Sequence, residues 1–241
     1  MIVSIMQPTY FPWLGYFDLI ARADIFVFLD DVQFSYRSWQ QRNRILNLGK
    51  EKMLTVPVIN KGEGKRVEDI LIDESENWRE KHINGIKEAY RTSKYYKIYI
   101  EFFEKLIQQR TSNLNQLNQS IIKSLSTQLD LNTKFLSSKN IKGLGTKSEK
   151  LYNICEALGA TQYLSPAGSR SYIEDEGVFS RNKLQVVFQD YCVQTYKQSG
   201  SASFVSHLSV IDLIFNCGVA NVSKHFQKNF IKSNSTNVEN F

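Results

Sequence analysis

The chain has 241 residues, 42% of them hydrophobic and 12% aromatic, enough apolar material for a packed core in one large domain or two small ones. Its formal net charge of +6 suits an anionic partner such as a nucleotide sugar, a CoA thioester or RNA, and equally fits an ordinary solvated surface; Lys224, Lys228 and Lys232 place part of it near the end. No apolar run approaches the roughly 18 residues of a membrane span, and the start lacks a basic leader and a cleavage site, so the reading is a cytoplasmic protein with no membrane span.

In chain order, Ile2–Met6 reads as a strand and is followed by the Pro/Gly-punctuated loop Gln7-Pro-Thr-Tyr-Phe-Pro-Trp-Leu-Gly-Tyr-Phe17. Asp18–Ala23 reads as one or two helical turns, and Ile25–Leu29 as a second buried strand ending on Asp30-Asp31. Arg44–Leu46 and Met53–Val58, joined by Asn47-Leu-Gly-Lys50, predict a hairpin, with Pro57 ending regular pairing or marking an edge. Ile70–Ile72 reads as a short strand. From Asn77 to about Leu129, apolar residues recur at spacings of three and four, which predicts three amphipathic helices packed beside or across the mouth of an α/β core. Phe135-Leu136 reads as a strand. A helix over Glu149–Leu158 follows, capped by Thr146 or Ser148 and stopped by Gly159. Thr161–Leu164 and Leu184–Phe188 are further strands, and Leu208–Asn216 is a last helix before Gly218. The Ser/Asn-rich end reads as disordered. The fold class is therefore α/β, a Rossmann-like, mostly parallel sheet with an inserted helical subdomain. Residues 1–76 and 131–220 form the core, 77–130 the insert and 221–241 a flexible tail.

Ligands of such sheets bind beyond the carboxyl ends of the strands, where Gln7 and Asp30 fall. If their strands are parallel, both face one crevice. Asp30 and Asp31 can orient a substrate amine or act as a general base, one of them with a raised pKa; capping or a turn is the alternative role. Tyr10, Trp13 and Tyr16 can stack on a base or sugar ring, or simply fill the core. Arg42 and Asn43, with Trp39 among the nearby arginines, suit a pyrophosphate and a base or carbonyl. Lys147 follows Gly143 and Gly145 at a helix start, which suits phosphate or ordinary capping; the P-loop spacing is absent. Ser165, Ser169 and Tyr172 follow another strand and can reach sugar hydroxyls. His82 lies on an aromatic helical stripe, where a core histidine is the first reading and a general base the second. Asp212, within an apolar helix, needs a partner. Cys155, Cys192 and Cys217 lack metal-ligand spacing and His82, His207 and His225 are scattered, so no metal site is expected.

The string Gln-Pro-x-Tyr-Phe-Pro-Trp-x-Gly-Tyr-Phe from Gln7, then Asp30-Asp-Val-Gln-Phe34, then Trp39-x-x-Arg-Asn43 resembles the WbqC-like family. Lys147–Ser165, Ala167–Tyr172 and Leu208–Gly218 agree with it. This likeness brings Gln33 into the binding set and raises the weight of Arg42 and Asn43. It implies a place in bacterial O-antigen and other surface-polysaccharide biosynthesis. The leading expectation is an enzyme that transfers an acyl or aminoacyl group to the amine of a nucleotide-linked amino sugar. The donor would be a CoA thioester, a carrier protein or an aminoacyl-tRNA, and no cofactor fingerprint is present. An ATP-dependent nucleotidyltransferase-like ligase is the alternative, although the two histidines of that loop type are absent. A non-catalytic scaffold protein of glycan assembly is the third reading and RNA binding a fourth.

Overall fold

The computed structural model describes residues 1–141, 143–222 and 226. Most of the segment read as a tail, with Lys224, His225, Lys228 and Lys232, lies outside the described residues.

The opening unit is β1 (Ile2–Met6), α1 (Leu14–Arg22) and β2 (Ile25–Phe28). Strands that are covered on both faces read as continuous apolar runs, as these two do. The helix starts at Leu14 rather than Asp18, because Trp13 is still extended and Gly15 lets the Trp13 ring fold back over the first turn: a Cβ there would lie 2.2 Å from Trp13 Cη2. The hairpin consists of β3 (Arg42–Asn47) and β4 (Lys50–Thr55), antiparallel as expected. Its turn places both Leu48 and Gly49 at positive φ, the handedness that a tight two-residue hairpin requires. β4 stops two residues before Pro57. Ile70–Ile72 is not a regular strand. Only isolated bridges form, Val58 to Ile72 and Leu71 to Asn113, so each flank of the segment meets a different partner.

The helical stretch is α2 (Trp78–Tyr90), α3 (Tyr96–Ile107) and α4 (Leu114–Gln128). Then come β5 (Lys134–Ser137), α5 (Lys147–Ala157), β6 (Gln162–Ser165), α6 (Arg170–Glu176), α7 (Val178–Arg181), β7 (Gln185–Phe188), α8 (Val210–Cys217) and α9 (Val219–Val222). The short helices α6 and α7 were not expected; they present only Ile173 and Phe179 to the core. Thr146 stands at the N-cap of α5 but makes no side-chain cap bond, and the Ser148 hydroxyl goes to Glu176 instead.

The sheet is parallel throughout, in the order β5-β2-β1-β6-β7. The chain winds outward from β1 to β2 and β5, then crosses back to β6 and β7. This is the doubly wound α/β arrangement, and its direction reverses between β1 and β6. Alternate residues sort to the two faces. Val3, Ile5, Ile25, Val27 and Tyr163 face α5, α6 and α7. Phe26, Phe28 and Leu164 join a larger core with residues of α1, the hairpin, α2, α3, α4 and α8. The insert therefore packs into the core of the sheet's other face. The first half of α4 also lies across the strand ends, where Asn118 Nδ2 donates to the carbonyls of Pro8 and Gln40.

Candidate functional site

In doubly wound sheets, ligands occupy the crevice outside the carboxyl ends of the strands where the order reverses. Here that place, between β1 and β6, opens into a cavity of about 290 Å³ lined by Gln7, Thr9, Leu29, Trp39, Gln40, Tyr163, Pro166 and Tyr172 among others. A second cavity of about 320 Å³ is lined by Pro12, Trp13, Tyr16, Asn43, Arg44 and His207. Met6, Thr9 and Trp39 line both cavities, which form two compartments of one groove.

The floor is the loop from Gln7 to Trp13, and its carbonyls are tied down. Tyr16 Oη donates to Gln7 O, Asn118 to Pro8 O, and Asn43 Nδ2 to both Tyr10 O (3.2 Å) and Phe11 O (2.8 Å). Val210 N donates to Pro12 O and Tyr16 N to Trp13 O. Phe11 has a φ of 40°, rare for an aromatic residue, and Asn43 sits where that backbone needs support. Asn43 thus fastens the floor, with both amide hydrogens engaged by backbone.

Trp39 is 50% exposed, and the Arg44 guanidinium lies 5.7 Å from its ring centre. Arg44 also holds Glu51 through two 3.0 Å contacts, and its Nε is buried without a hydrogen-bond partner. Arg42, two positions earlier on β3, likewise has a buried, unpartnered Nε, but lines neither compartment. The Trp13 ring packs against His207 (4.8 Å) and Tyr191 (5.4 Å). His207 is exposed, and its Nδ1 is 2.8 Å from Ser206 Oγ. Below Tyr172, Ser165 Oγ and Ser169 Oγ are hydrogen-bonded to each other, and Ser169 donates to Pro166 O. Burial raises the pKa of Tyr172, against a lowering contact from Ser169.

The carboxylates lie elsewhere. Asp30 is fully buried and faces a separate cavity of about 770 Å³ between α4, β5 and α5, so it does not share a crevice with Gln7. It accepts from Asn115 (3.2 Å), Gln119 (2.9 Å), Ser137 (2.7 Å) and Ser138 (3.2 Å). Asp31 meets Lys150 Nζ at 2.6 Å. Burial alone would raise the Asp31 pKa, but hydrogen bonds from Lys150 and Ser138 outweigh it and hold the carboxyl below its ordinary range. The raised carboxyl expected for this pair is therefore not found at Asp31. His82 is sealed between Tyr10 Oη and the Thr55 carbonyl, and burial lowers its pKa to about 4. Tyr10 and Tyr16 are buried. Gln33 is exposed and bridges to Arg66. Lys147 pairs with Glu176 at 3.5 Å, away from the groove.

Of the residues singled out in the sequence, the groove brings together Gln7, Trp13, Tyr16, Trp39, Asn43 and Tyr172. It adds Gln40, Arg44 and His207. Gln40 stands inside the Trp39–Asn43 string, which was the available signal. His207 carried none, because its neighbours in space come from Trp13 and the hairpin. No group of three or more His, Cys, Asp or Glu side chains among the described residues is placed to hold a metal ion, and none of their helices is long and apolar enough to cross a membrane.

Comparison with known proteins gives two matches. The sequence profile of the WbqC-like protein family matches residues 7–224. A protein of Mycobacterium tuberculosis, "Uncharacterized protein Rv1507c", is 33% identical over 219 residues, covering 90% of this chain and 94% of that one. No solved structure matches.

Proposed function

From the premise that the chain belongs to the WbqC-like protein family, we propose that it is a transferase of surface-polysaccharide precursor assembly, which acylates or aminoacylates the amine of a nucleotide-linked amino sugar in the switch-point groove. The observation that carries this reading is the groove itself: a half-exposed Trp39 ring flanked by the Arg44 guanidinium, at the strand ends where the sheet order reverses. A flat base stacks on such a ring, and a guanidinium beside it favours phosphate. The α1 N-terminus adds to the positive field, since its first turn holds no acidic residue and no side chain caps it.

In this reading the amine nitrogen attacks the acyl carbonyl and the new C–N bond forms. The bond to the donor's sulfur or oxygen breaks, and the amine's proton passes to an acceptor. Asp30 is engaged by its own donors and His82 is sealed, so His207 is the groove's basic side chain for this role. A second reading, ligand binding without turnover in a scaffold of glycan assembly, is favoured by the same engagement of Asp30, Asp31 and His82.

The test measures binding of UDP- and dTDP-linked amino sugars by calorimetry, then mass gain of the sugar with acetyl-CoA or aminoacyl-tRNA as donor. Trp39→Ala and Arg44→Ala should each weaken binding, and His207→Gln should spare binding but stop mass gain. Binding without mass gain by the wild type selects the scaffold. No binding overturns both readings.

A further inference from the structure

We infer that Gln40 is a positioning residue that fixes the polarity of the groove wall, so that Gln7 presents only N–H donors and the ligand meets it with a carbonyl or phosphoryl oxygen. The inference rests on the groove being the ligand site, as proposed above.

Two glutamine amides are stacked end to end behind the wall. The Ser35 backbone N–H can only donate, and it lies 3.1 Å from Gln40 Oε1. Gln40 is therefore oriented with Nε2 away from Ser35, and Nε2 lies 2.6 Å from Gln7 Oε1. An amide nitrogen only donates, so Gln7 must turn its oxygen toward Gln40. Gln7 Nε2 is left over. Gln7 lines the switch-point compartment, and among the described residues its Nε2 has no partner.

Gln40 is held rigidly. It is 2% exposed, its backbone N–H goes to Ser38 Oγ, and its carbonyl accepts from Asn118. Neither amide can flip alone, because a flip would set nitrogen against nitrogen or oxygen against oxygen. Around Gln7, the compartment joins apolar side chains such as Ile5, Leu29 and Leu151 to polar ones such as Thr9 and Ser38. A ligand lacking the group that matches Gln7 leaves this wall amide unpaired, which is a basis for discrimination.

The decisive variant is Gln40→Glu, close in size but without a donor. It still accepts from Ser35 N–H, and as a carboxylate it turns Gln7 around, so that oxygen faces the ligand. Probes are UDP, uridine, methyl N-acetylglucosaminide and inorganic pyrophosphate; the uncharged pair carries carbonyl and hydroxyl but no phosphoryl oxygens, and pyrophosphate carries phosphoryl but no carbonyl oxygens. At pH 8, Gln40→Glu and Gln7→Glu should each weaken the best probe by about tenfold or more. As pH falls toward 5, Gln40→Glu should recover, because a protonated Glu at 40 donates to Gln7 again, and Gln7→Glu should recover with it, because a protonated Glu at 7 accepts from Gln40 and turns its O–H to the ligand. Weakening without that recovery means that Gln40 serves only as packing, and overturns the inference. Failure of every probe to bind the wild type overturns the ligand assignment. Side-chain amide exchange in the ligand-free protein then decides the orientation separately. Slow exchange at Gln40 Nε2 with fast exchange at Gln7 Nε2 upholds it, and the reverse order overturns it.

Discussion

Tyr10 Oη lies 2.9 Å from His82 Nδ1, and on the far side of the ring Nε2 lies 3.1 Å from the Thr55 carbonyl. A carbonyl only accepts, so Nε2 carries the proton and Nδ1 accepts from the tyrosine. The imidazole is thus held neutral, with its folded-state pKa at about 4, below the ordinary value near 6.5. The unfolded chain binds this proton more readily, so the contribution of His82 to stability is full above about pH 6.5. It falls as pH drops toward 4, by about 3 kcal/mol in total. Urea unfolding of the wild type and His82→Gln from pH 7 to 4 should give stability curves whose difference shrinks or reverses over that window.

Asn43 supports two carbonyls of the floor. Asn43→Ala should cost about 2–4 kcal/mol, from two lost bonds and two buried acceptors without donors. Asn43→Asp should do no better, since a carboxylate would face two carbonyl oxygens. Chemical denaturation measures the cost. Ligand affinity should fall in both variants even at temperatures where they remain folded.

Gly15→Ala places a methyl group inside the Trp13 ring. The ring must leave its site against Tyr191 and His207, and the expected cost is about 1–3 kcal/mol. Near-UV circular dichroism should lose part of its tryptophan signal. A Gly15→Ala spectrum matching the wild type would show that the ring is not packed on this turn.

Removing Lys150 by substitution with Met should raise the Asp31 pKa, because burial then acts with less opposition from hydrogen-bonded charge. The wild-type pair stabilises the fold above the unfolded Asp pKa, and that support is lost as pH falls through the folded value. Lys150→Met should therefore be most destabilising at neutral pH and approach the wild type in acid. Carboxyl-carbon NMR titration of Asp31 reads the shift directly.

Asp212 is fully buried and accepts from Tyr90 (2.9 Å), Tyr196 (2.7 Å) and Gln198 (2.9 Å), while burial raises its pKa. These bonds fasten the segment after β7 to α8 and α2. Tyr196→Phe should loosen residues 196–205 and increase their backbone amide exchange, with a loss of about 1–3 kcal/mol.

β1 and β2 were readable in the sequence because strands buried on both faces must be apolar at nearly every position, whereas β5, β6 and β7 showed only shorter apolar runs. The hairpin was readable through its Asn-Leu-Gly-Lys turn. Their spatial order was not, because pairing β1 with both β2 and β6 depends on partners far apart in sequence. For the same reason the setting of Asp30 could not be seen. Its donors Ser137, at the end of β5, and Ser138, just after it, arrive more than a hundred residues later, and Asn115 and Gln119 come on α4. A carboxylate at a strand end reads as available until those donors are placed around it. Tyr10 and Asn43 were drawn to attention by rare strings that serve the loop's own shape, whereas His207 reaches the groove only through the packing of α8 on Trp13.

The central strand carries a consequence for synthesis. Ser4 on β1 hydrogen-bonds to Leu164, 160 residues further along. At ribosomal speeds, roughly 10–30 s pass between the appearance of β1 and that of its second neighbour. During that interval Val3 and Ile5 lack the Tyr163 and α5 side chains that later cover them. The nascent chain thus carries an unpaired, apolar strand edge, the kind of surface on which chaperones act and from which aggregation starts. One wall of the groove arrives with β6, so ligands can act as folding aids only after that strand has emerged.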